Sequence, residues 1–246
     1  MANEKAEPAA KAALLSSLKI ARKLSRATIM SELVVGGQSN RADIVLANDR
    51  LSCFEIKTHA DTLVRLPKQL DTFTRCFDET TVVAASKHLS AVCALVPDFV
   101  GVMELAGAAK SPQIIVHRQA SASSHLSVES LLQLLPADRL RFVLGGRGLP
   151  KRRADLMQCA QGMSIGDARA AVISFLQDRY RVSSNAFASG AQKRVRSKDL
   201  LRLRRLHRIQ ASAPDDVEAQ DWEIFQYIGQ SFGCAPLDIA QAFAKA

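Results

Sequence analysis

Between residues 11 and 30, apolar side chains recur every third or fourth position, at Leu14, Leu15, Leu18, Ala21 and Leu24, with Lys and Arg between them. That period predicts an amphipathic helix with its stripe turned inward. The period then shortens. Leu33-Val34-Val35 reads as a short strand, Gly36-Gly37 as a turn, and residues 41–46 as a strand ending in the buried run Ile44-Val45-Leu46. Asn48-Asp49 supplies a hairpin turn into a further strand over 51–56. Leu63, Leu66, Leu70 and Phe73 share one helical face, with Pro67 in the first turn, where its missing N–H costs least. The β-branched run over 80–85 predicts a central strand, followed by a helix over 89–96 and strands near 100–105 and 113–117. The expected fold class is therefore α/β, a mixed sheet with helices on its faces over residues 11–120.

Beyond a Ser/Ala-rich linker at 120–124 the pattern is helical only, over 128–135, 138–144, 153–160, 165–178 and 198–209. The small, polar segment 183–191 reads as a loop. Four regions follow: a disordered N-terminus (1–10), the α/β domain (11–120), a basic helical accessory region (121–210), and an acidic tail (211–246) with a last helix at 222–228.

Charge sharpens this division. The net charge of +9 is not spread over the 246 residues. Residues 1–138 hold 15 basic and 14 acidic side chains, residues 139–208 hold 17 and 4, and residues 209–246 hold 1 and 6. A field of +13 in seventy residues favours a polyanionic partner, nucleic acid before others. No continuous 18-residue apolar run is present, so no membrane span or membrane partner is expected. Lysines and arginines scattered along a helical pattern in the first thirty residues do not resemble a secretory signal. Five dispersed cysteines without a Cys-x-x-Cys pair predict reduced, mostly buried thiols in a cytoplasmic protein.

The chemistry-bearing residues are Asp43, Glu55 and Lys57. Asp43 stands at the start of an apolar strand. Glu55 and Lys57 end the neighbouring one, two residues apart and so on one side of the sheet. Two carboxylates and an ammonium among apolar residues are costly unless paired or bound to a metal. Asp43 and Glu55, with the carbonyl of Ile56, offer hard oxygen ligands to Mg²⁺ or Mn²⁺, suited to phosphodiester hydrolysis. Lys57 would position water or neutralise charge on the phosphate. Glu32, just after the first helix, could add a further carboxylate. The plain alternative is a surface Glu–Lys pair with Asp43 closing a turn.

Ser-Asn-Arg-Ala-Asp-Ile-Val (39–45), Phe-Glu-Ile-Lys (54–57) and Leu-Pro-Lys-Gln-Leu-Asp-Thr-Phe (66–73) resemble the PD-(D/E)xK nuclease superfamily, nearest the sce7726-type bacterial and phage proteins. The resemblance covers roughly residues 12–118. It implies a restriction-endonuclease-like αβββαβ core, with Asp43 and Glu55 as metal ligands, Lys57 as the active-site lysine and Glu32 as the carboxylate of the N-terminal helix. The superfamily's Gln, followed four residues later by an aromatic, falls on Gln69 and Phe73, with Gln69 facing the site. Phe73 replaces the more common Tyr, so no phenolic hydroxyl is available.

Around this set, Arg41 and Lys68 are candidate phosphate contacts, or solvated charges. The stretch 140–157 gives helix, glycine turn and helix. Its Arg-Gly-Leu-Pro (147–150) and Ala-Asp-Leu (154–156) resemble the SAP-type DNA-binding module. Arg147, Lys151, Arg152 and Arg153 crowd that turn, and Arg194, Arg196, Arg204 and Arg205 belong to a second basic cluster. The second cluster could instead pair with the acidic tail. The expectation is a Mg²⁺- or Mn²⁺-dependent nuclease acting on nucleic acid, DNA in the first instance, with a homodimer as one route to a double-strand cut. The alternative is a nuclease-fold module that binds nucleic acid or protein without hydrolysis.

Overall fold

The computed structural model describes residues 6–36, 40–108, 111–190 and 194–203. Helix α1 (Ala6–Ile20) leads into three antiparallel strands, β1 (Thr28–Val35), β2 (Asn40–Ala47) and β3 (Leu51–Lys57). Helix α2 (Leu66–Cys76) then crosses to β4 (Glu79–Ala85), parallel to β3. Helix α3 (Leu89–Leu95) crosses to β5 (Gly101–Ala106), parallel to β4, and β6 (Gln113–Arg118) closes the sheet antiparallel. The six strands stand in sequence order, a mixed α/β sheet beginning αβββαβ. Pro67 lies in the first turn of α2 as its position predicts.

The first helix is shifted from its expected span: it begins at Ala6 and ends at Ile20, and Ala10 is fully buried. Residues 6–10 are thus helical, and Ala10 packs in the core that α1 shares with the sheet. Leu14, Leu15 and Leu18 join Ile29, Ile44, Phe54 and Ile56 in one core. On the opposite face Met30, Val45, Cys53, Phe73 and Phe77 form another.

That second core also takes in the helices beyond β6: α4 (Val128–Leu132), α5 (Ala137–Val143), α6 (Arg153–Cys159) and α7 (Ile165–Gly190). Leu131, Leu140, Leu156, Val172 and Leu176 pack in the same cluster as the strand residues. The expected linker is tied down as well. Ser121 N–H donates to the Phe99 carbonyl, and Ser123 N–H to that of Asp78. The segment 183–191, expected as a loop, is helical through Gly190. Its small polar residues serve close packing: Ser183 and Ser184 are buried, and Ser184 Oγ accepts the Ile29 N–H of edge strand β1 at 3.0 Å. A 3-10 turn at Ser197–Leu200 starts the basic segment. Arg204, Arg205 and the acidic tail, with the helix expected at 222–228, lie outside the described residues. Among the described residues no helix is long and apolar enough to cross a membrane. The thiols divide evenly there, Cys53 and Cys76 buried, Cys93 and Cys159 exposed, and fewer are covered than expected.

Candidate functional site

The site arises where β2 and β3 part. Their ladder ends at the pair Ile44–Phe54, while β2 stays bonded to β1 as far as Asn40. Carried on, the register puts Asp43 opposite Glu55. With the ladder ended, the Asp43 side chain takes over as acceptor: its Oδ2 receives the Ile56 N–H at 2.7 Å. A backbone donor that would otherwise be unsatisfied thereby orients a carboxylate.

The β1–β2 pair is irregular at the same level. Met30 pairs with Val45 and both join one core. Three residues on, Leu33 pairs with Ala42 and both join that same core, where strict alternation would send them to the opposite face. The alternation slips on both strands together, at Glu32 and Asp43. Glu32 sits at φ +61°, in the left-handed region that a non-glycine residue occupies only under constraint. This slip turns both carboxylates out of the apolar layers. Glu32 is therefore a strand residue and does not belong to the N-terminal helix, a correction to its expected position.

Lys57, Glu55 and Gln69 close a buried ring. Lys57 Nζ donates to Glu55 Oε1 and to Gln69 Oε1, both at 2.8 Å, and Gln69 Nε2 donates to Glu55 Oε1 at 2.6 Å. The second oxygen, Glu55 Oε2, is buried with no hydrogen-bond partner among the described residues. Burial, then the charge of Asp43, push the Glu55 carboxyl up to about 7 against the pull of Lys57 and Gln69. Burial also raises Asp43, opposed first by the Lys11 ammonium and then by the Ile56 N–H.

Lys11 and Glu7 on α1 complete the site, and sequence reasoning missed both. Lys11 is only 2% exposed and meets Glu7 at 2.6 Å, Asp43 Oδ1 at 3.3 Å, and Glu32 in a short contact. Glu7, Glu32 and Asp43 each present one oxygen within 4.8 Å of the others. The available signal was one lysine inside the alanine and leucine run 9–15, four residues after Glu7. Burial alone would lower the Lys11 pKa, but Asp43, Glu32 and Glu7 together raise it above its ordinary 10.5.

The structure brings together Asp43, Glu55, Lys57, Glu32, Gln69 and the Ile56 backbone. Arg41 stands exposed at the rim, 3.7 Å from Glu32, and Lys68 is exposed on α2. Asp61 Oδ2 accepts the Thr58 N–H at 2.7 Å and closes the turn after β3. Arg147, Lys151 and Arg152 are exposed. Arg153 is committed internally: its guanidinium donates to the Leu135 and Leu132 carbonyls at 2.7 and 2.8 Å, fastening α6 to the end of α4. Arg194 donates to Ser111 Oγ at 3.1 Å, and Arg196 is exposed with its N–H on Asp199.

Compared with known proteins, the chain matches the family model described as bacteriophage P4 protein cII over residues 1–204. Protein cII of Enterobacteria phage P4 is 34% identical over 187 residues, which cover 74% of this chain and 71% of the phage protein. No solved structure shows a significant match.

Proposed function

The chain belongs to the phage P4 cII family, and within it we propose a divalent-metal-dependent nuclease that hydrolyses nucleic-acid phosphodiester bonds, DNA in the first instance, in the cytoplasm. The observation carrying this reading is the buried constellation of Asp43, Glu55, Lys57 and Gln69 with Glu55 Oε2 left unpartnered. An unsatisfied buried carboxylate oxygen costs stability and fits a site shaped for a cation. Charge balance points the same way. Four carboxylates, Glu7, Glu32, Asp43 and Glu55, face two ammonium groups, Lys11 and Lys57, and the rim guanidinium of Arg41, so anions outnumber cations in the site. The likeness of the strand and helix motifs to the PD-(D/E)xK superfamily adds support.

Asp43 and Glu55, with the Ile56 carbonyl, would hold Mg²⁺ or Mn²⁺. Such an ion, when bound, polarises the scissile phosphate and acidifies a water. Lys57 is held in one position by Glu55 and Gln69, which suits it to neutralise charge gathering on the phosphate. Gln69 locks the Glu55 rotamer. Arg41 at the rim and Lys68 on α2, with Arg147, Lys151 and Arg152, would supply backbone-phosphate contacts whose strength falls with salt. A homodimer would supply the two sites a double-strand cut requires.

The test is incubation of the full chain with linear and supercoiled DNA in Mg²⁺ or Mn²⁺. Cleavage is expected, lost in Asp43→Ala and Lys57→Ala while gel-shift binding persists. Activity surviving both substitutions would move the chemistry to another surface. One observation favours a second reading, a binding module without hydrolysis: Lys11 already supplies a cation to the carboxylates. Binding without cleavage of duplex, single-stranded or branched DNA and of RNA would select it.

A further inference from the structure

Lys11, which α1 brings to the site together with Glu7, is left unexplained by motif and register. A lysine on a surface helix normally runs its stem along apolar neighbours and keeps its ammonium in water. Here the residue is only 2% exposed, on a helix whose leucines pack in one core with the sheet. Of the two Asp43 oxygens, Oδ2 is taken by the Ile56 N–H. Oδ1 is the one left for a cation, and Lys11 Nζ lies on it at 3.3 Å.

We propose, resting on the reading of this site as a metal centre, that Lys11 is a positioning residue that competes with the divalent ion for Asp43 Oδ1. In the metal-free protein its ammonium holds the carboxylates of Glu7, Glu32 and Asp43 together against their mutual repulsion. On loading, the ammonium withdraws along its helix toward Glu7, four residues earlier and half exposed at the rim. It keeps a partner there, so α1 need not unfold. A positive charge this near the ion weakens its binding, so the Lys11–Glu7 pair sets the concentration at which the site fills.

The experiment is Mn²⁺ titration of the full chain, by calorimetry and by thermal unfolding, in the wild type, Lys11→Met and Lys11→Arg. Lys11→Met keeps most of the stem and removes the charge. Its Mn²⁺ dissociation constant is expected to fall about tenfold or more, and Mn²⁺ should raise its melting temperature further than that of the wild type. Lys11→Arg keeps the charge and should bind Mn²⁺ no more tightly than the wild type. An unchanged or larger dissociation constant in folded Lys11→Met overturns the proposal, since a purely structural lysine would behave that way. Should Lys11→Met be unfolded without metal, Mn²⁺ must restore its native circular dichroism. Failure to do so, with Lys11→Arg folded, also overturns it. If wild type and Lys11→Met fold and neither binds Mn²⁺, the metal reading falls and takes this proposal with it.

Discussion

Two nearly inaccessible lysines serve the site, and they are held in opposite ways. Lys57 sits in a closed ring with one carboxylate and one amide, all buried, and one carboxylate oxygen is left without a partner. Lys11 sits among three carboxylates, and Glu7 and Glu32 reach solvent. In the closed ring water does not reach the unpartnered oxygen, and Glu55 is driven up to about 7 by burial and by Asp43. In the open cluster the anions outnumber the cation, and Lys11 stays charged despite its burial. Solvent access, more than the count of charges, decides which cluster needs a proton or a metal and which is content with an ammonium.

Removing Lys57 should break that comparison hardest. Lys57→Met leaves Glu55 without its cation in a closed pocket and should cost about 3–5 kcal/mol in urea unfolding at pH 8. The loss should shrink at pH 5, where Glu55 accepts a proton. Glu55→Gln acts in the opposite direction. A carboxyl raised from 4.5 to about 7 on folding contributes stability that is fully present below pH 4.5 and lost as pH rises through about 7. The metal-free variant should therefore gain on the wild type across that window, by about 3 kcal/mol at most. A pH-independent difference between the two would contradict the closed-ring account. Lys11→Met should cost less than Lys57→Met, about 2 kcal/mol, because Glu7 and Glu32 can hydrate once the ammonium is gone. Glu7→Gln should be smallest, within about 0.5 kcal/mol, since it removes one half-exposed helix pair. Chemical denaturation of all four variants in one buffer series would rank them.

Much of this was legible in the chain. The strands at Ile44-Val45-Leu46 and over 80–85 announce themselves by apolar and β-branched runs, and the two-residue spacing of Glu55 and Lys57 puts both on one face. Gln69 and Phe73, one turn apart on α2, bring an amide to the ring and a phenyl ring to the core. Other parts could not be read locally. Ser183 and Ser184 look like loop residues until a strand edge is found against them, because small polar residues serve a turn and a close helix–strand approach equally well. Arg153 resembles its neighbours Lys151 and Arg152 in sequence, and only the nearby end of α4 gives its guanidinium two carbonyls to bind.

The periodicity of apolar residues by itself pointed to helix, three strands, helix and strand, with Asp43 on one strand and Glu55 and Lys57 together on the next. Burial period and pairing register are local properties that a few consecutive side chains express. Only the folded arrangement decided that α1 delivers Lys11 and Glu7 to that place, that Glu32 adopts a left-handed backbone beside Asp43, and that Glu55 keeps one oxygen unpartnered. Those features depend on elements distant in sequence meeting in a medium of low polarity. There the energy of a charge is set by its neighbours in space, and the chain's order does not display them.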